Sequence, residues 1–133
     1  MKNIEHIGIA VKDIKVSNRI FSKIFGKEPY KTEIVDSEGV VTSFFQLGDN
    51  KIELVASINE DSPIAKYLSQ KKEGIHHIAF FVENIEIEMQ RLKKEGIRLL
   101  NDIPKYGADN KLICFLHPKD TNGVLIELCQ EIK

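Results

Sequence analysis

Two histidines and two glutamates recur at matched places in this chain. His6 and His77 lie 71 positions apart, and Glu53 and Glu127 are separated by three positions more, a difference that a loop absorbs. Their surroundings repeat as well. Glu5-His6-Ile7-Gly8-Ile9-Ala10-Val11 returns as His76-His77-Ile78-Ala79-Phe80-Phe81-Val82, and Lys51-Ile52-Glu53-Leu54-Val55 returns as Leu125-Ile126-Glu127-Leu128-Cys129. One unit written twice, with its halves related by a pseudo-twofold, can bring two imidazoles and two carboxylates around a single divalent ion. With water completing the shell, this donor set suits cobalt, nickel, zinc, manganese or iron rather than a calcium cage. Such a centre polarises a carbonyl oxygen and stabilises the enolate formed when the neighbouring carbon loses its proton; the glutamates can be ligands, bases or both.

Glu127 carries the sharpest signal of the four. It interrupts Val124-Leu125-Ile126-Glu127-Leu128-Cys129, a strand apolar on both faces that has no Lys or Arg of its own. An ionised carboxylate there costs several kcal/mol unless it is paired or bound to a cation. A single strand histidine is more often a hydrogen-bonded core residue than a ligand. For His6 and His77 the matched positions reverse that preference. His76 aligns with Glu5 at the outer start of its strand and is expected to point away from the site. His117, just before Pro118, reads as a strand-end or loop residue, and Cys114 and Cys129 read as buried thiols in apolar strands.

The elements that must hold these residues follow from periodicity. Residues 4–11 form a strand with His6, Gly8 and Ala10 on one face, where the small neighbours leave room beside the imidazole. Val16, Ile20, Phe21, Ile24 and Phe25 have helical spacing between a cap at Asp13 and a stop at Gly26. Strands are expected over 30–35, 40–47 and 51–56, with Gly48-Asp49-Asn50 closing a hairpin. Ser62-Pro63 starts a linking helix. The order then repeats: a strand over 75–82, a helix through Ile85, Met89 and Leu92 stopped by Gly96, and strands near 98–101, 111–117 and 123–129. The reading is α+β, with two tandem βαβββ modules forming a curved mixed-sheet cleft in a single domain. Module one covers about 1–58, the linker helix about 59–73 and module two about 74–133.

Composition narrows the partner. With 19 Lys plus Arg against 20 Asp plus Glu the net charge is −1, which offers no general attraction to nucleic acid or an acidic membrane. The N-terminus lacks an apolar signal core, and no apolar run approaches the roughly 18 residues of a membrane span. A cytoplasmic protein with a small-molecule partner is expected.

The stretches His6-Ile7-Gly8-Ile9-Ala10-Val11, Ser62-Pro63-Ile64-Ala65-Lys66, Gly74-Ile75-His76-His77-Ile78-Ala79, Phe115-Leu116-His117-Pro118-Lys119 and Gly123-Val124-Leu125-Ile126-Glu127-Leu128 resemble the methylmalonyl-CoA epimerase family. That family lies in the vicinal oxygen chelate superfamily (glyoxalase/bleomycin resistance/dioxygenase), and the resemblance covers nearly the whole chain. It implies a cytoplasmic metalloenzyme, a homodimer, that inverts the alpha carbon of methylmalonyl-CoA between its R and S forms. The family's metal ligands fall on His6, His77 and Glu127, with Glu53 at the place of a fourth ligand that is Gln in some relatives. The ion, cobalt, nickel, zinc or manganese, would chelate the thioester and carboxylate oxygens and stabilise the enolate.

One departure bears on the proton transfer. Some epimerases place an acidic residue in the third strand, but Gly39-Val40-Val41-Thr42-Ser43 has no carboxylate, and Thr42 holds that position. A hydroxyl is a poor general base. The catalytic carboxylates are therefore expected to be Glu127 and Glu53, flanking the substrate carbon, with Glu53 doubling as ligand and base. Lys105, Lys111 and Lys119 lie in or beside loops where CoA phosphates could be met, although solvated surface lysine is the simpler reading for each. Two alternatives remain. Glyoxalase I (lactoylglutathione lyase) uses the same kind of centre, and a metal-independent small-molecule-binding module could use the same cleft.

Overall fold

The computed structural model describes residues 1–133. Its first elements are β1 (Asn3–Ala10), α1 (Ile14–Phe25), β2 (Lys31–Val35), β3 (Val40–Leu47) and β4 (Asn50–Ser57). After the helix α2 (Pro63–Gln70) come β5 (Gly74–Phe81), α3 (Ile85–Lys94), β6 (Lys105–Gly107), β7 (Lys111–Phe115) and β8 (Ile126–Glu131). The α+β class and the two βαβββ runs expected from the sequence are thus observed. No helix is long and apolar enough to cross a membrane.

The chain divides into two compact units, one of Ile7–His76 and one of Met1–His6 with His77–Lys133. In the first, β2, β3, β4 and β1 are neighbours in that order. β3 pairs antiparallel with β2 and with β4. The β3–β4 register closes on Leu47 opposite Asn50, so the loop is Gly48-Asp49, with Gly48 at φ 61°. A positive φ at the first of two loop residues twists the hairpin the way its strands twist, and glycine adopts it without strain. α1 begins where the Asp13 carboxylate accepts from the amides of Lys15 and Val16, and it ends at Gly26 in the left-handed conformation. Its Phe21 and Phe25 pack with Val11, Phe45, Leu54 and Ala56. α2 is capped by the Ser62 hydroxyl and seats Ile64 and Tyr67 with Ala10, Val40 and Val55.

In the second unit the strand order is β1, β5, β8, β7, β6. β5 and β8 run parallel; β7 is antiparallel to β8, and β6 to β7. Alternation divides the residues of this sheet between its faces. Val82, Cys114 and Leu128 pack with Ile85, Met89 and Leu92 of α3, which closes that side with a continuous apolar core. Ala79, Ile113 and Cys129 gather with Phe115 on the other face. α3 is fixed at its start by the Asn84 side chain, which caps Ile87 N, and by Gln130, whose amide oxygen accepts from Ile85 N.

The strand expected near 98–101 is not formed. Leu99 makes a single bridge to Leu116, and the strand that pairs with β7 lies further on, at Lys105–Gly107. Two features account for the shift. Arg98 is drawn into a forked ion pair with Asp120, and Pro104, which has no N–H to give a ladder, ends the intervening loop. Gly107 is the residue that admits β6 so closely, since a Cβ there would lie 2.8 Å from Cδ1 of Ile113.

Candidate metal centre

The register of β8 decides what Glu127 faces. It lies beside Ala79 of β5 and opposite Phe115 of β7, which puts its side chain on the face away from α3. His77 precedes Ala79 by two residues and so shares that face. Ala79 is completely buried, and its lone methyl leaves space between the imidazole and the carboxylate. His6 arrives from the first half of β1, in the same unit.

The three side chains converge. His6 Nε2 lies 3.0 Å from His77 Nε2, His77 Nε2 lies 3.2 Å from Glu127 Oε1, and His6 Nε2 lies 3.7 Å from the same oxygen. All three residues are buried, none more than 6 % exposed. Donors bound at about 2.1 Å to one ion stand about 3.0 to 3.4 Å apart at octahedral or tetrahedral angles. The circle through the three atoms has a radius of about 1.9 Å, just inside ordinary metal–nitrogen and metal–oxygen lengths of about 2.0 to 2.2 Å. Two imidazoles and one carboxylate in this arrangement fit a borderline divalent ion with open positions left for substrate.

The surroundings hold the donors in place. Glu127 Oε2 accepts from the Cys129 thiol at 3.0 Å, so the two carboxylate oxygens are differentiated and Oε1 faces the imidazoles. The His77 ring meets the Phe115 ring edge to face at 6.0 Å, and the Lys105 ammonium stands 5.9 Å above that same phenyl ring. On His6, Nδ1 lies 2.9 Å from Glu5 Oε1. Alternation fixes where a Cβ points, but a glutamate side chain is long enough to return its carboxylate to the nearer ring nitrogen of its neighbour, and Glu5 is buried in doing so. No pattern in the strand announced it.

The remaining candidates are placed as follows. Glu53 is buried in β4 of the other unit, opposite Phe44, and Thr42 lies two residues before Phe44 on the same face. The Thr42 hydroxyl is buried with no hydrogen-bond partner. His76 packs its ring edge-on against Tyr67. His117 caps the short 3-10 turn Pro118–Asp120, accepting from Lys119 N through Nδ1, and so has a structural role. Lys111 is not a surface residue: it is buried, and its ammonium donates to the carbonyl oxygen of Asp109. Lys119 is exposed. Both cysteines are buried thiols outside any disulfide, as expected.

Residues 5–115 match the model of the Glyoxalase/Bleomycin resistance protein/Dioxygenase superfamily. Over 129 residues the chain is 40% identical to an ethylmalonyl-CoA/methylmalonyl-CoA epimerase of Cereibacter sphaeroides, covering 96% of each protein. It is 40% identical over 128 residues to the mitochondrial methylmalonyl-CoA epimerase of Homo sapiens, covering 96% of this chain and 73% of that one. Among solved structures it matches a variant Streptomyces coelicolor methylmalonyl-CoA epimerase in complex with 2-nitronate-propionyl-CoA, with TM-score 0.94 and 32% identity. The match covers 100% of this chain and 99% of that one.

Proposed function

The chain belongs to the glyoxalase/bleomycin resistance protein/dioxygenase superfamily and, within it, to the methylmalonyl-CoA epimerases of vicinal oxygen chelate fold; on that premise we propose that it interconverts (R)- and (S)-methylmalonyl-CoA. The observation that carries the reading is the buried triangle of His6 Nε2, His77 Nε2 and Glu127 Oε1. A divalent ion (cobalt, nickel, zinc or manganese), held by these residues with Glu53 as a fourth ligand, would polarise the thioester and carboxylate oxygens and acidify the C–H bond between them. Relatives in complex with methylmalonyl-CoA or its nitronate analogue support an acyl-CoA partner.

The reaction breaks one C–H bond and makes another on the opposite face of the same carbon, so configuration alone changes. This chain's residues must hold the acyl group still and move the proton. His6 and His77 offer ring nitrogens in a buried setting, where water does not compete and electrostatic effects are enlarged. Glu127 and Glu53 are assigned the proton transfers, Glu127 first, with Glu53 acting as both ligand and base. In support, both are buried carboxylates, and the third strand carries no carboxylate, with Thr42 offering only a hydroxyl. A homodimer of 15.2 kDa chains in the cytoplasm completes the proposal, and sedimentation velocity tests the assembly.

The deciding experiment incubates cobalt-loaded protein with one epimer of methylmalonyl-CoA in heavy water and follows inversion and alpha-deuterium uptake by NMR, beside a metal-stripped control. Metal-dependent inversion with deuterium uptake is expected. Folded, cobalt-bound protein that neither inverts nor exchanges either epimer would reject the reading, and turnover of the methylglyoxal–glutathione hemithioacetal would replace it with glyoxalase I. Glu53→Gln and Glu127→Gln variants that both kept full exchange would overturn the carboxylate assignment.

A further inference from the structure

An imidazole can serve as a ligand only through a nitrogen that carries a lone pair, and in a neutral ring the two nitrogens differ, one holding the proton and the other free to bind. For His6 the structure supplies the element that decides between them. Its Nδ1 lies 2.9 Å from Glu5 Oε1, while its Nε2 points to His77 and Glu127. An ionised carboxylate only accepts hydrogen bonds, so the ring proton belongs on Nδ1 and the lone pair on Nε2, toward the candidate metal centre. The pair is buried, with side-chain exposures of 5% for His6 and 8% for Glu5, so water does not compete for the ring proton.

We propose that Glu5 is the positioning residue of this centre: its carboxylate fixes the orientation and tautomer of His6 and makes Nε2 a stronger donor. The inference rests on the metal reading of His6, His77 and Glu127 given above. Charge gives it a further physical basis. A carboxylate behind an imidazole increases the electron density that the far nitrogen presents, and such partners of metal-binding histidines change affinity by about 10- to 100-fold when removed. Glu5 also places a further buried carboxylate behind the donor set to which Glu127 belongs, which adds to the attraction for a divalent ion. Glu5 touches neither substrate nor ion in this scheme and acts through His6.

Two measurements on the full chain test it. The first uses metal-stripped protein labelled with 15N-histidine, in which long-range proton–nitrogen correlations show which ring nitrogen of His6 carries the proton. Nδ1 is expected; a proton on Nε2 in the wild-type protein overturns the inference without recourse to any variant. The second titrates cobalt(II) against a competing chelator into wild-type, Glu5→Gln, Glu5→Ala and His6→Ala proteins. Glu5→Gln keeps an acceptor for Nδ1 but loses the charge and should bind about 10-fold more weakly; Glu5→Ala loses both and should fall toward 100-fold. Glu5→Ala binding cobalt as tightly as wild type, while His6→Ala binds far more weakly, overturns the role of Glu5 and leaves the metal reading intact. Wild-type protein that takes up no more cobalt than His6→Ala overturns both. Should Glu5→Ala not fold, the wild-type tautomer and the Glu5→Gln affinity decide.

Discussion

Replacing Glu127 by glutamine should separate the stability of the metal-free protein from its response to metal. Glu127 is 6% exposed and lies against two imidazoles, and its Oε2 takes the Cys129 thiol. Glutamine keeps the volume and the oxygen for that thiol, and it removes a buried charge whose desolvation costs several kcal/mol. The metal-free variant should therefore melt at or above the wild-type temperature. The metal response should move the other way. With 133 residues at about 2.1 cal/mol/K each, the unfolding entropy is about 0.28 kcal/mol/K. Cobalt at about 1,000 times its dissociation constant adds about 4.1 kcal/mol, or about 15 °C, to the wild type. Losing a charged donor weakens binding by at least the roughly 100-fold typical of a ligand's hydrogen-bonded partner, leaving about 1.4 kcal/mol, about 5 °C or less. Differential scanning calorimetry with chelator and with cobalt reads both quantities. A metal-free variant melting several degrees below wild type, or one that kept the full cobalt shift, would count against Glu127 as a buried charged donor.

Three other outcomes test the scaffold. Arg98 donates to Asp120 from Nε, Nη2 and its backbone amide, and the guanidinium hydrogen bond is the main reason the Asp120 carboxyl is held well below its ordinary 3.8. A depressed folded value means stability that is fully present above about pH 4 and is lost as pH falls further. The difference between wild type and Asp120→Asn in urea melts should thus shrink from pH 5 to pH 2.5, and a constant gap would count against the pair. Leu128 has no exposure in the α3-facing core, so Leu128→Ala should cost about 2 to 5 kcal/mol, whereas Ile24→Ala, at 64% exposure, should stay within about 0.5; equal losses in denaturant melts would contradict that core. Burial pushes the Cys114 thiol up to about 11, so iodoacetamide at pH 8 should spare Cys114 in folded protein and modify it in urea.

Duplication made the buried cluster legible. His6, His77 and Glu127 were readable because matched strands place them on matched faces, and a buried carboxylate in an apolar strand needs a reason to be there. α1 was readable because its cap at Asp13 and its stop at Gly26 are chemical signals at both ends. Glu5 was not readable, since strand alternation speaks for Cβ directions and not for the reach of a long side chain. β6 also escaped notice. Lys105-Tyr106-Gly107 has no alternation, and what places it is the short hairpin to β7, in which Gly107 fits against the Ile113 side chain six residues on. Lys111 looked like surface because lysine usually is; its burial depends on the Asp109 carbonyl that receives its ammonium.

The split of β1 has a kinetic consequence. Met1–His6 belongs with His77–Lys133, so the proposed centre can close only once Glu127, about 120 residues after His6, has been made. An ion gripping both would act as a reversible staple across nearly the whole chain, and chain-entropy arguments value a link closing a loop of that size at about 4.7 kcal/mol. On this account metal would do most for the protein after synthesis of β8, fastening two segments of one unit that the whole of the other unit separates in sequence.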